Sequence, residues 1–527
     1  MYFFNGFRTM SRFDNRSESN GFTIVELLVV VVIIGVLASI SYISYMVISK
    51  KATAAVLQSD LRNASTTLEL DKATNGVYPA NQNDANGGKG LPKSPGTSYQ
   101  YTVVGTDYNL SGTSGLLAFH ISSLSGGMIE DGVWSGHTAP GGGTVWKQLA
   151  GGYSFACAIG TDSKAYCWGD NGSGQLGDNT TTPRSIPTAV NTTGVLAGKT
   201  IKYITAGSNN TCAIASDNLV YCWGYNAYGE LGNNSTTDSS VPIAVNTAGV
   251  LNGKTIKSVA TGIYNTCVIA SDDKAYCWGL NNAGQLGNNS TTQSLVPVAV
   301  DTTGSFSGKT VKTITVGEAS VCAIASDNLA YCWGDNGSGR LGNTDVGQKH
   351  SPFPVNTAGV LNGKTILSIS TSANHVCVIA SDNLAYCWGR NQFGVLGNAT
   401  FTDSNVPVAV NTAGVLAGKT ILSIDTDPAV YYGTCVVASD NQAYCWGMGW
   451  AGALGNNSGS NSNVPVAVDT SGVLAGKTIK SLSSGVTFSC VVASDNNTYC
   501  WGYNGQYQLG NNSTTNSSVP VAMTAIP

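Results

Sequence analysis

The chain has 527 residues with 26 Lys+Arg against 30 Asp+Glu, and charged residues make up only 11 %, well under the roughly 25 % of an average soluble domain. Gly (64 residues), Ser, Thr and Asn fill the deficit, which suits a turn-rich β-protein and argues against a charge-rich disordered chain. With no basic excess to displace phosphate counterions, nucleic acid is excluded as the main partner.

At the N-terminus, Arg8, Arg12 and Arg16 precede an uncharged run, Leu27 to Val47, which Lys50 and Lys51 follow. The run is long enough to span a bilayer. The notable residues stand before it rather than after it, in Gly21-Phe22-Thr23-Ile24-Val25-Glu26. Glu26 places a carboxylate at the head of an apolar helix, where a charge is costly unless it snorkels or finds a partner. The stretch resembles the class III signal of type IV pilins and pseudopilins. The resemblance implies cleavage after Gly21 by a prepilin peptidase, N-methylation of Phe22, and pairing of Glu26 with the N-terminal amine of a neighbouring subunit.

Past the membrane run, Ala54, Leu57, Leu61, Ala64 and Leu68 recur at spacings of three and four, an apolar helical stripe for packing on a sheet. Asn75-Gly76 and Pro79 stop it. Tyr99–Val104 and Tyr108–Leu110 read as a hairpin and Leu116–Ile121 as a further strand. A long helix followed by a small sheet is the pilin plan. The expected organisation is a leader over 1–21, a helix over 22–72 (22–47 in the membrane), a small pilin-like sheet region over 73–138, a Gly-rich hinge over 139–144, and a repeat array over 145–527.

All fourteen cysteines lie in that array and fall into seven pairs: Cys157 with Cys167, Cys212 with Cys222, Cys267 with Cys277, Cys322 with Cys332, Cys377 with Cys387, Cys435 with Cys445 and Cys490 with Cys500. Nine intervening residues are unlike metal or redox spacings, and the even pairing reads as disulfides formed outside the cytoplasm. Cys-Trp-Gly recurs at steps of 55, 55, 55, 55, 58 and 55, a period that predicts propeller blades. In one unit, Lys254–Ala260, Thr266–Ala270, Ala275–Trp278 and Val296–Val300 read as strands A to D, with Pro297 suiting a blade edge. In the hairpin of the next unit, Ala325 opposite Leu329 puts Cys322 opposite Cys332, near disulfide distance. No D-type strand stands upstream of Val145–Leu149, so the terminal Ser518–Met523 is expected to close the ring onto the first blade. The fold class is thus mainly β: a seven-bladed β-propeller with four-stranded blades, preceded by a long N-terminal α-helix and a small α+β pilin-like domain.

Trp-Gly-x-Asn-x-x-Gly-Gln-Leu-Gly, at Trp168–Gly177 and Trp278–Gly287, resembles the regulator of chromosome condensation repeat, a seven-bladed propeller family. Two departures are the cysteine pair in every hairpin and a Thr-x-Gly-Val-Leu-x-Gly-Lys-Thr segment such as Thr247–Thr255. The nuclear exchange-factor activity of that family is not expected of an exported, stapled propeller.

The B–C turns and D–A segments are nearly constant between blades, whereas the A–B and C–D loops vary and emerge on one face. They carry Tyr153, Phe155, Tyr225, Tyr228, Tyr264, Arg340, His375, Arg390, Phe393, Tyr431, Tyr432, Trp450, Phe488, Tyr503 and Tyr507, the candidate binding face. Drifting loops and funnel-filling aromatics are the competing reading. The Cys-Trp-Gly tryptophans read as core rather than as a sugar site. Four scattered histidines and no metal or nucleophile motif point to no enzyme, no metal and no cofactor. The expectation is a minor, tip-like type IV pilin or pilin-like surface subunit whose propeller binds a protein or glycan for adhesion or recognition. Its partners are other pilin subunits through the N-terminal helix, the prepilin peptidase, the membrane before assembly, and a surface ligand. It starts as an inner-membrane precursor and ends on an extracellular pilus or the cell surface. The alternatives are a membrane-anchored binding or inhibitor protein outside any filament, and a surface enzyme acting on polysaccharide.

Overall fold

The computed structural model describes residues 52–95, 97–104, 107–114, 117–122, 130–131, 146–426 and 433–524. Gly21, Phe22, Glu26, the 27–47 run, the 139–144 segment, Tyr431 and Tyr432 lie outside the described residues. The chain divides into two compact units, 1–140 and 141–527. Among the described residues, no helix is long and apolar enough to cross a membrane.

In the first unit, α1 runs over 52–75 and ends as Asn75-Gly76 directs, with Gly76 at φ +80°, a conformation glycine enters at little cost. Its stripe of Leu57, Leu61, Ala64 and Leu68 is fully buried against Tyr108, Leu110, Phe119 and Ile121. Those residues belong to an antiparallel sheet of β1 (Ser98–Val104), β2 (Asp107–Ser114), β3 (Leu117–Ser122) and the short β4 (Glu130–Asp131). Gly112 on β2 leaves room for Leu61, whose Cγ would stand 3.0 Å from an added Cβ. Asp60 is buried on the same helix. Burial works against its charge, yet hydrogen bonds from Thr97 and Ser94 outweigh that and hold its carboxyl below the usual range.

The described residues of the second unit form seven four-stranded antiparallel sheets. Each is built from four consecutive strands, as in blade 1: A (Trp146–Gly151), B (Phe155–Gly160), C (Ala165–Gly169) and D (Arg184–Ala189). The A strands line the axis and neighbour one another around the ring, from Trp146–Gly151 to Ile479–Gly485 of blade 7 and back. Strand B is buried along its length in six blades, and in blade 6 everywhere past Gly433. Its flanks face the neighbouring blades, so β-branched and small residues fill it.

The ring closes differently from the sequence expectation. Ser517–Ala522 pairs with Thr498–Gly502 of its own blade 7, and blade 1 takes Arg184–Ala189 as its outer strand. No strand is exchanged, because every repeat contributes all four of its strands to one blade. Closure is packing and hydrogen bonding between blades 7 and 1: Gly151 N donates to Ser483 Oγ (3.0 Å), Trp168 Nε1 to Gln508 O (2.9 Å) and Asn512 N to Ser185 O (3.0 Å). Each blade therefore keeps an outer edge, and each outer strand carries a proline, such as Pro187, Pro297 or Pro520, which blunts edge pairing.

The cysteines are bridged in the pairs that the spacing predicts, one bridge in each blade. Cys157 is bonded to Cys167, Cys212 to Cys222, Cys267 to Cys277 and Cys322 to Cys332 in blades 1 to 4. Cys377 is bonded to Cys387, Cys435 to Cys445 and Cys490 to Cys500 in blades 5 to 7. The two Cα atoms stand 4.1 Å apart in every bridge. The register of strands B and C explains the pairing, since it sets the partners directly opposite, as with Cys212 and Cys222 or Cys322 and Cys332.

Candidate functional site

The repeat motif explains itself as blade-to-blade carpentry. All seven Cys-Trp-Gly tryptophans are fully buried, as expected of core residues. Each indole N–H donates to a backbone carbonyl of the preceding blade: Trp223 to Gln175 (2.9 Å), Trp278 to Glu230 (2.7 Å) and, across the closure, Trp168 to Gln508 (2.9 Å). The Gly of Leu-Gly makes room for that ring, since a Cβ on Gly232 would lie 2.6 Å from Trp278 Nε1. The motif asparagine holds the C–D loop together. Asn281 Nδ2 donates to Ser290 O, Thr292 O and Asn288 Oδ1, while its Oδ1 accepts from Leu286 N. What the motif leaves free is the outward part of the A–B and C–D loops.

On that face the predicted residues divide. Phe155 and Phe488 are buried, each ring lying beneath a glycine at the end of strand A or just past it, Gly152 or Gly485. His375, at the equivalent strand-B position, is fully buried between Ser372 Oγ (2.7 Å) and Thr434 Oγ1 (2.9 Å), and burial lowers its pKa to about 3. Arg340 is buried too, tying blade 4 to blade 5 through Ala373 O (2.8 Å) and Asn374 Oδ1 (2.7 Å) and pairing with Asp335 (3.1 Å). These four are corrections to the sequence-based face. A side chain at the first position of strand B points into the blade, and a long cation in a C–D loop is drawn to the carbonyls of the next A–B loop. Phe393 is half-buried against the core between blades 5 and 6, and half-buried Arg390 bonds Gln392.

Among the described residues, two groups of the predicted aromatics remain on the surface. Tyr228 packs edge-on against Tyr264 (5.1 Å) and beside Tyr225 (6.5 Å), all half-buried. Trp450, half-exposed, stacks on Tyr503 with centroids 5.2 Å apart and planes 29° off parallel. Tyr153 is exposed and Tyr507 half-buried.

Two ionisable groups escaped the sequence reading. Glu230 stands where three other repeats have Gln175, Gln285 and Gln508, and that substitution was the available signal. It is fully buried. One oxygen accepts from Tyr228 N (2.9 Å), the other finds no partner among the described residues, and burial pushes its carboxyl up to about 7. Asp425 is the second, in an axial channel of about 370 Å³ lined mostly by strand-A residues, among them the hydroxyls of Thr205, Thr315 and Ser370. It accepts from Ser484 N (2.7 Å), and burial within the ring raises it to about 7. Ile263, Ala373 and Val486, from A–B loops of three different blades, meet as an apolar cluster over the axis. Among the described residues, no three His, Cys, Asp or Glu side chains converge as metal ligands.

Glu230 gives a signed pH prediction. A carboxyl raised from 4.5 to about 7 in the fold keeps its proton where the unfolded chain has lost it. Its contribution to stability is complete below pH 4.5 and disappears as the pH climbs through 7. Glu230→Gln, which restores the residue of three sibling blades, is expected to stabilise the chain by ~2 kcal/mol at pH 8 and to change little at pH 4. Urea unfolding at the two pH values checks this, and equal effects at both would refute it.

Residues 130–427 match the RCC1-like domain, and 440–492 and 495–527 match the regulator of chromosome condensation (RCC1) repeat. Residues 16–42 match the prokaryotic N-terminal methylation motif. The ultraviolet-B receptor UVR8 of Arabidopsis thaliana is 26 % identical over 72 % of this chain and 81 % of its own length. The mouse E3 ubiquitin-protein ligase HERC2 is also 26 % identical, over 71 % of this chain but only 7 % of the ligase. Among solved structures, human WBSCR16 superposes with a TM-score of 0.58 at 19 % identity, covering 68 % of this chain and 94 % of that one. Prp20p of Saccharomyces cerevisiae gives 0.56 at 22 % identity, covering 65 % and 81 %. These likenesses show the shared propeller fold. With the domain match spanning more than half of its length, the chain belongs to the family of RCC1-like domains.

Proposed function

We propose that this chain is a pilin-like surface subunit whose propeller is a partner-binding head. The observation that carries the reading is the conjunction in one chain of an N-terminal methylation motif at 16–42 with a propeller stapled by seven disulfides. Bridges of that number belong to an oxidising compartment, and a prepilin signal is a route to one. In this reading the peptidase cuts after Gly21, Phe22 is methylated, and Glu26 pairs with a neighbouring subunit's amine. A head of this bulk on every subunit would crowd a shaft, so the proposed place is a minor or tip position. In this reading the head binds rather than catalyses: of the carboxyls that burial raises, Glu230 stands in a C–D loop, Glu318 in an A–B loop and Asp425 in the channel. Family relatives carry names of receptors and regulators, and the Prp20p structure is described together with binding to Gsp1p and histones, which favours a macromolecular ligand.

Mass spectrometry of the N-terminal peptide from the native cell surface tests the processing. A peptide beginning at methylated Phe22 is expected. One retaining Met1, or beginning after Val47, would overturn the pilin reading and leave an anchored or secreted propeller.

A further inference from the structure

In its C–D loop, blade 6 departs from its six siblings at the motif asparagine. The motif asparagine that knits the other C–D loops (Asn171, Asn226, Asn281, Asn336, Asn391, Asn504) is Gly449 here, and the next residue is Trp450. Elsewhere that next position holds Gly172, Ala227, Asn282, Gly337, Gln392 or Gly505. The structural consequences are visible. The loop has moved inward until a Cβ on Gly449 would lie 2.0 Å from Ser460 O. Asn456 Oδ1, whose counterparts accept from the motif asparagine, is buried with no partner among the described residues. A network that stabilises six blades is given up in the one that presents a tryptophan to solvent.

The neighbouring loop of blade 7 departs as well. Six blades place glycine where the backbone turns left-handed (Gly174, Gly229, Gly284, Gly339, Gly394, Gly452), and blade 7 places Tyr507 there at φ +65°, a strained conformation for an aromatic residue. Gly505 in the same loop lets the Tyr503 ring come close over it: an added Cβ would lie 2.1 Å from Tyr503 Oη. With its ring folded over Gly505, Tyr503 forms the base on which Trp450 stacks. Half of the Trp450 surface stays exposed to solvent. Gly449 N bonded to Asn461 Oδ1 (3.0 Å) and Ala453 N bonded to Trp450 O (3.2 Å) hold the platform in place. Local rules broken without a structural gain mark a functional site.

The chemistry of the surroundings identifies the occupant. The two loops, residues 448–463 and 503–518, contain no charged residue. Their exposed polar groups are amides and hydroxyls, including Asn461, Ser460 and Gln506. The C–D loops of blades 1, 2, 4 and 5 all carry charges; that of blade 3 does not, but it has no aromatic residue. A flat, fixed indole packs against the C–H face of a pyranose ring, and neutral amides exchange hydrogen bonds with its hydroxyls. A charged polymer or an acidic or basic protein patch finds no complement here. We infer that the blade 6–7 junction is a binding site for a neutral glycan, with one sugar ring stacked on Trp450. This rests on the reading of the propeller as a binding head and names its ligand class.

The test uses the full chain and a panel of neutral hexasaccharides, cellohexaose and chitohexaose among them, with a hyaluronan hexasaccharide as the charged control, followed by calorimetry. A neutral member of the panel is expected to bind. Trp450→Ser should weaken it at least tenfold, Trp450→Phe only a few-fold, and the melting temperature should hold in both because the residue is exposed. No neutral hexasaccharide bound, preference for hyaluronan, or unchanged affinity in Trp450→Ser would each overturn the assignment. Such a failure with a methylated Phe22 peptide present would leave the surface-subunit reading standing; an unprocessed N-terminus with glycan binding intact would be the converse.

Discussion

Refolding the chain with its fourteen thiols reduced is expected to yield no cooperative propeller transition, whereas the oxidised chain refolds. Each bridge closes a loop with a sequence separation of 10, which in the chain-entropy account contributes about 2–3 kcal/mol by constraining the unfolded state. The seven lie in separate blades and share no partners, so their effects should add. Together they amount to roughly 14–21 kcal/mol, as much as or more than the entire net stability of an ordinary domain. The native bridges are buried, so reductant must be applied to the denatured chain rather than to the folded one. Calorimetry after refolding with and without reductant reads the collective effect, and Cys322→Ala with Cys332→Ala isolates one bridge, expected to cost about 2–3 kcal/mol. A reduced chain that refolds and melts within a few degrees of the oxidised one would show that the cysteines are not what holds the ring. Oxidative export would then lose its structural justification.

Much of this architecture is written in the sequence because repetition amplifies it. One Cys-Trp-Gly would say little, but seven at a nearly constant step announce blades, and a constant nine-residue gap announces one hairpin register. The stripe of Leu57, Leu61, Ala64 and Leu68 was legible for the same reason: burial follows helical period. Closure was misread because the terminal Ser518–Met523 looked surplus when strands were counted upstream of blade 1 instead of downstream. The face was misread at Phe155, His375, Phe488 and Arg340 because loop membership does not specify side-chain direction. Three of them occupy the first position of strand B, where the pleat turns the side chain inward. Glu230, Gly449 and Tyr507 were legible in principle, each as a single departure among aligned repeats. Asp425 was not, since its burial among the channel hydroxyls of other blades exists only in three dimensions.

Trp278→Ala is expected to cost about 3–5 kcal/mol, the range for truncating a buried aromatic, while Trp450→Ala should fall within ~0.5 kcal/mol, as surface substitutions usually do. The two residues differ in what surrounds them. Trp278 is fully buried between blades 2 and 3, closed over by Gly232 and bonded to Glu230 O. Glycine cannot move in to fill the space the indole leaves, so the cavity term should be felt nearly in full. Trp278→Phe separates volume from hydrogen bonding. The phenyl ring recovers much of the packing, and Glu230 O keeps a second donor in Thr266 Oγ1 (3.0 Å), so the lost N–H should cost only ~1 kcal/mol. Urea unfolding of the three variants measures these differences, and hydrogen exchange over Asn265–Ala270, the strand beside the lesion, should rise in Trp278→Ala alone. A loss in Trp450→Ala equal to that in Trp278→Ala would mean that the exposed indole is part of the carpentry, and the case for a tryptophan spared for binding would fall with it.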